Sequence, residues 1–145
     1  MLEYLHIQNL AIIEDVELEL GPGLCVITGE TGAGKSILVG AIAALRGARV
    51  SRDAVRDGAD KAQVEAVLRP PEAEETEEPL TLTRVVAATG RSRQRLNGEL
   101  VTAAELSRRV APLVDISGQH DGQSLTDAAT HRALLDASGV SERAR

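Results

Sequence analysis

Eight residues constrain this chain more than any others: Gly29-Glu30-Thr31-Gly32-Ala33-Gly34-Lys35-Ser36. Their spacing, Gly-x-x-x-x-Gly-Lys-Ser, is that of a P-loop. A short apolar run, Leu24 to Thr28, precedes the loop. Behind it Ile37, Leu38, Ala41, Ile42 and Leu45 recur at helical spacing. The pattern predicts a buried strand, a glycine-rich loop and a helix from Lys35 to about Arg46, stopped by Gly47. Each residue type has a physical task. Glycines let the backbone wrap closely and aim successive N–H groups inward as an anion nest. The helix N-terminus adds partial positive charge. Lys35 brings a full charge to β- and γ-phosphates, and the Ser36 hydroxyl suits Mg²⁺. Gly29 through Ser36 are therefore the candidate nucleotide-binding residues, with ATP and Mg²⁺ as implied ligands. GTP is disfavoured: its readers carry Asn-Lys-x-Asp, whereas Asn9 and Asn97 are followed by Leu and Gly.

The rest of the chain supports an α/β arrangement. Residues 2–9 and 12–20 read as two strands, the second alternating Val16, Leu18, Leu20 with Asp15, Glu17, Glu19. Residues 48–60 read as a loop with a short helix, and 63–68 as a strand. Residues 70–79 hold five Glu and three Pro, an exposed acidic loop that separates 1–69 from 80–125. Strands resume at 80–87. Residues 94–101 read as a hairpin turning at Asn97-Gly98, a pair suited to a type I′ turn. Thr102 and Glu105 form a capping box for a helix to about Val110. Leu113 to Ile116 reads as another buried strand, closing the 80–125 stretch together with a polar loop. Thr126 to about Ala137 reads as a last helix.

With no Phe or Trp and one Tyr, Leu, Val, Ile and Ala must fill the core. Cys25, between Leu24 and Val26, is expected to be buried, and one cysteine cannot staple the chain. The net charge of −6 gives no overall basic footprint for a nucleic acid. Local arginines remain as candidates. Arg91, Arg93 and Arg95 would share a face on a strand. Arg46, Arg49, Arg52 and Arg56 follow the P-loop helix. No run approaches a membrane span and the start lacks a leader pattern, so a cytoplasmic protein is expected.

Hydrolysis needs more than a P-loop. A carboxylate at a strand end must hold the metal shell, and another group must orient water. Asp115 follows Leu113 and Val114, but Pro112 breaks the run. Ile116-Ser117-Gly118-Gln119 lacks the second Gly of a Ser-Gly-Gly signature. A third reading makes Asp115-Ile116-Ser117-Gly118-Gln119-His120-Asp121 a loop in which Gln119 reaches the metal and the water.

Several ordered segments together carry a family likeness. Leu5-His6-Ile7-Gln8-Asn9-Leu10, then Leu24 through Ser36, resemble the ATPase heads of the SMC family. So do Ala54-Val55-Arg56-Asp57-Gly58, Gly90 through Gly98 and Val114 through Asp121. The resemblance implies a P-loop NTPase fold of ABC/SMC type, with a mixed sheet on the P-loop helix. It implies the N-terminal lobe only, whose residues 126–145 lead towards a coiled coil. It makes Lys35 and Gln119 catalytic, and Ser36 and Gln119 metal ligands. The implied partners are the C-terminal lobe of the same head, a second head in an ATP-dependent homodimer, and DNA, with no membrane. The implied role is double-strand-break repair and recombination, at the nucleoid. Two rivals stay open: a free-standing P-loop phosphotransferase using Asp115, and a nucleotide-driven DNA clamp without hydrolysis.

Overall fold

A tight antiparallel hairpin opens the chain. Leu2–Leu10 (β1) pairs with Ile13–Glu19 (β2), Leu5 against Leu18 and Ile7 against Val16. Asn9 and Ala11 take positive φ, 51° and 50°, to close it. The computed structural model describes residues 1–29, 34–70 and 78–116. Lys35–Leu45 forms α1, followed by a 3-10 turn at Arg52–Ala54. Four strands come next: Lys61–Leu68 (β3), Leu80–Ala87 (β4), Ser92–Leu96 (β5) and Glu99–Val101 (β6). Ala103–Val110 (α2) completes the set.

The strands form one sheet in the order β2-β1-β3-β4-β5-β6. Alternation decides its buried face. Leu5 and Ile7 of β1 point in, as do Ala62, Val64, Ala66 and Leu68 of β3 and Leu82 and Val86 of β4. Ala41 and Leu45 of α1 and Leu106 and Val110 of α2 join the same cluster. Each large aliphatic side chain fully buried there contributes about 1.5–3 kcal/mol.

The turn chemistry matches the sequence. Asn97 and Gly98 have φ of 49° and 81°, and Leu96 faces Glu99 across the two-residue loop. Asn97 also ties the hairpin to β4, because its Oδ1 accepts from the Thr81 N–H at 2.9 Å. Thr102 caps α2, its hydroxyl accepting from the Glu105 N–H at 3.2 Å.

Three expectations are corrected. Leu24 to Thr28 is not a strand, and Leu24 is 92% and Val26 70% exposed. A strand needs a hydrogen-bonding neighbour, and no described strand runs beside this segment. Cys25 is accordingly exposed, not buried. Leu113 to Ile116 is not a strand either. A turn follows α2 instead, with the Leu113 and Val114 N–H groups donating back to the Val110 carbonyl. The mixed character expected of the sheet therefore does not lie in the described strands, every neighbouring pair of which is antiparallel. Residues 71–77 of the acidic loop and the helix expected from Thr126 lie outside the described residues.

Candidate functional site

The helix start is where the P-loop pattern places it. Gly34 is the N-cap of α1 and makes no side-chain cap hydrogen bond, and the first turn carries no acidic residue. Lys35 and Ser36 are the first two helical residues. Both features leave the positive end of the helix dipole open to an anion. Ser36 is exposed. The Lys35 ammonium donates to the Gly29 carbonyl across the loop, so its charge sits over the loop entry. Leu24, Val26 and Ile27 lead into this point uncovered. Glu30, Thr31, Gly32, Ala33 and Gln119 lie outside the described residues. This donor set of ammonium, first-turn hydroxyl, glycine cap and helix N-terminus fits a magnesium-bound triphosphate.

The arginines behind α1 separate by role. Arg56 braces the β1–β2 turn: its Nη1 donates to the Ile12 carbonyl at 2.9 Å, and its Nη2 lies 3.4 Å from Glu14. Its own N–H bonds the Asn9 carbonyl at 2.9 Å. Arg46, the C-cap of α1, lies 3.9 Å from the Asp115 carboxylate. Arg49 and Arg52 are exposed, with Arg52 3.7 Å from Asp53. Arg93 and Arg95 share the exposed face of β5, as expected; Arg91 precedes the strand. Asp115 is exposed and ends no strand, so the local setting of a strand-end metal carboxylate is missing there.

Sequence reasoning missed two features. The first is Arg84, which is buried and whose Nη1 donates to the Ala44 carbonyl of α1. The strict alternation of β4 was the available signal, because it puts position 84 on the buried face. The second surrounds His6 on the opposite face. His6 Nε2 lies 2.8 Å from Asp15 and 3.7 Å from Glu17, and Nδ1 lies 3.4 Å from Glu65. Ligand atoms of His6, Asp15 and Glu17 fall within 4.8 Å of one another. An imidazole hydrogen-bonded among carboxylates accounts for this grouping.

Partial burial pushes the His6 pKa down, but the hydrogen bond and charge of Asp15, the charge of Glu17 and the bond to Glu65 hold it above the ordinary value. Asp15 is held below its ordinary value by hydrogen bonds from Gln8 and His6. A raised histidine contributes stability below its unfolded pKa and loses it as pH rises through the folded one. A depressed carboxylate contributes above its unfolded pKa and loses it as pH falls through the folded one. The β1–β2 pairing should therefore be firmest between the ordinary carboxylate and imidazole ranges. Amide exchange in β2, corrected for intrinsic rate, should quicken from pH 6 to pH 8. A His6→Gln variant should lack that step; an unchanged profile in the variant would remove His6 as the cause.

An AAA domain family model matches residues 4–107. The DNA repair protein RecN of Xylella fastidiosa (strain 9a5c) is 37% identical over 157 residues, covering 100% of this chain and 28% of that protein. RecN of Bacillus subtilis (strain 168) is 40% identical over 148 residues, covering 94% and 26%. Among solved structures, one from work on ATP-driven dimerization and DNA-stimulated activation of SMC ATPases matches with a TM-score of 0.70 at 22% identity. It covers 93% of this chain and 97% of its own. The chain thus spans under a third of the length of these curated relatives, while matching almost all of that solved chain. No helix among the described residues is long and apolar enough to cross a membrane.

Proposed function

Because the chain belongs to the AAA domain family and is RecN-like along its whole length, we propose that it is the ATP-binding N-terminal lobe of a RecN-like ATPase acting in DNA double-strand-break repair and recombination. The observation that carries the reading is the pairing of Lys35 and Ser36 at a glycine-capped, acid-free helix start. Gly29, Glu30, Thr31, Gly32, Ala33 and Gly34 would wrap the phosphates with backbone N–H groups. Lys35 would neutralise charge on the β- and γ-phosphates, and Ser36 and Gln119 would complete the metal shell. Mg²⁺, when bound, supplies Lewis-acid neutralisation of that charge. Gln119 would also orient the attacking water. Hydrolysis then waits for groups from elsewhere: the C-terminal lobe of the same head and a second head.

Two observations support those partners. Leu24, Val26 and Ile27 are an apolar run with no described neighbour, which suits a strand completed by the other lobe. The solved SMC relative comes from work on ATP-driven dimerization and DNA-stimulated activation, which supports an ATP-dependent homodimer with DNA as effector. The role implies a cytoplasmic, nucleoid-associated protein. The free-standing phosphotransferase loses ground because Asp115 ends no strand.

The test compares ATPase activity of this chain alone and with the C-terminal lobe of a RecN relative, each with and without DNA. Turnover should require both lobes and rise with DNA. Equal activity in the two samples would favour the free-standing enzyme. ATP-dependent dimerisation without phosphate release would favour the clamp.

A further inference from the structure

The buried face of the sheet is apolar except at one place. Arg84 on β4 is 5% exposed and Gln94 on β5 is 8% exposed, and the two stand directly opposite each other. Their neighbours on the same strands are Leu82, Val86 and Leu96. Burying a guanidinium among aliphatic side chains is costly unless its N–H groups are used. Desolvation indeed pushes the Arg84 pKa below its ordinary value. Its Nη1 donates to the Ala44 carbonyl in the last turn of α1, and its Nε lies 3.4 Å from the Ser92 hydroxyl. No carboxylate of the described residues forms an ion pair with it. Gln94 Oε1, opposite, is buried without a donor among the described residues.

The fully buried contacts of α1 are few, made by Ala41, Ala44 and Leu45, while Ile37, Leu38 and Ile42 pack against the core only partly buried. A mostly apolar cavity of about 260 Å³ lies alongside, lined by Ile37, Gly40 and Ala44 of α1, by Leu10 and Val50, and by Arg84 itself. Small side chains beside a void leave room for a helix to slide, because packing then supplies few opposing contacts. The last turn of α1 has no basic residue of its own. The C-cap Arg46 lies 3.9 Å from the Asp115 carboxylate, whereas Arg84 of the sheet donates to a carbonyl of that turn, and a cation there favours the helix dipole.

We propose that Arg84 is a positioning residue for the phosphate site. It tethers the carbonyl end of α1 to β4 and so sets the height at which Lys35 and Ser36 stand above the sheet. A buried guanidinium of this kind is weak evidence for stability, and its use here is assigned to what it holds. The proposal rests on the reading of Lys35 and Ser36 as the phosphate-binding pair.

The experiment uses the whole chain with Arg84→Met, Arg84→Lys and Lys35→Ala. Three things are measured: thermal melting, hydrogen exchange of α1 amides without nucleotide, and binding of ATP with Mg²⁺. Arg84→Met should keep or raise the melting temperature, since an apolar side chain of similar length replaces a buried charge. It should nonetheless speed exchange in α1 relative to β3 and β4. It should weaken ATP binding about tenfold, the effect of a small displacement far from the ligand. Arg84→Lys should recover part of both losses, because it keeps a cationic donor for the same carbonyl. If Arg84→Met fails to fold, the lysine variant carries the comparison and should fall between wild type and Lys35→Ala in affinity. Wild-type α1 exchange, or wild-type affinity while Lys35→Ala loses it, would overturn the positioning role. Absence of Lys35-dependent binding in the wild type would instead overturn the phosphate-site reading, with α1 exchange still judging the tether.

Discussion

Lys35→Ala should weaken ATP binding by about 10- to 100-fold, as expected for losing a charged donor worth roughly 1.5–3 kcal/mol. Lys35 is the second-to-last residue of the motif and the first of α1, with its ammonium over the Gly29 carbonyl. The backbone N–H groups and the helix end remain in the variant, so some affinity for phosphate should survive. The loss should be largest for the triphosphate and smaller for the diphosphate. Titration calorimetry with ATP and ADP, both with Mg²⁺, measures this directly. Unaltered ATP affinity would mean that the phosphates lie elsewhere. Because α1 is held through its other end, the melting temperature should scarcely move.

Gly47→Ala should destabilise the chain by about 2–4 kcal/mol, combining a positive-φ penalty with overpacking. Gly47 has a φ of +95° just after the C-cap of α1. A Cβ there would stand 2.9 Å from the Ala103 carbonyl oxygen and 2.9 Å from the Ser107 Cβ. Both atoms belong to α2, and the first is backbone that cannot swing aside. A methyl group must therefore push α2 away from α1 or strain the turn. The melting temperature should fall by about 10 °C or more. Near-UV signals offer little in a chain with one Tyr, so far-UV melting or calorimetry is the suitable probe. An unchanged melting temperature would mean that α2 does not close on α1 at this glycine.

The parts of this fold that were legible in the sequence are those set by local chemistry. Gly34-Lys35-Ser36 predicts a helix start because the phosphate-loop pattern carries its own context. Asn97-Gly98 predicts a turn because both residues tolerate positive φ. Thr102 and Glu105 predict the entry to α2, and the alternation of Val16 and Leu18 with Asp15, Glu17 and Glu19 predicts β2. What was not legible depends on partners distant in the chain. The apolar run from Leu24 to Thr28 asks for a cover, and its sequence does not say which chain segment supplies one. Cys25 followed that error. Leu113 to Ile116 has strand-like composition, but hydrogen bonds back to Val110 keep it with α2. Arg84 lay in plain view at a position that alternation buries, yet only the contact with Ala44 gives it a reason. Of the candidate site, the helix end stands as expected, while Glu30 to Ala33 and Gln119 lie outside the described residues.

The composition of β2 has a further consequence for how copies of this chain behave together. Four of its seven residues are carboxylates: Glu14, Asp15, Glu17 and Glu19. It is also one of the two edges of the sheet formed by the described strands. Two copies joining edge to edge would set these acids against the same acids of the neighbour. The other edge, β6, offers three residues, too short a template for a foreign strand. Ordered growth of the sheet into a fibril is thus discouraged at both ends. The exposed stretch of Leu24, Val26 and Ile27, by contrast, carries no charge to turn a stranger away.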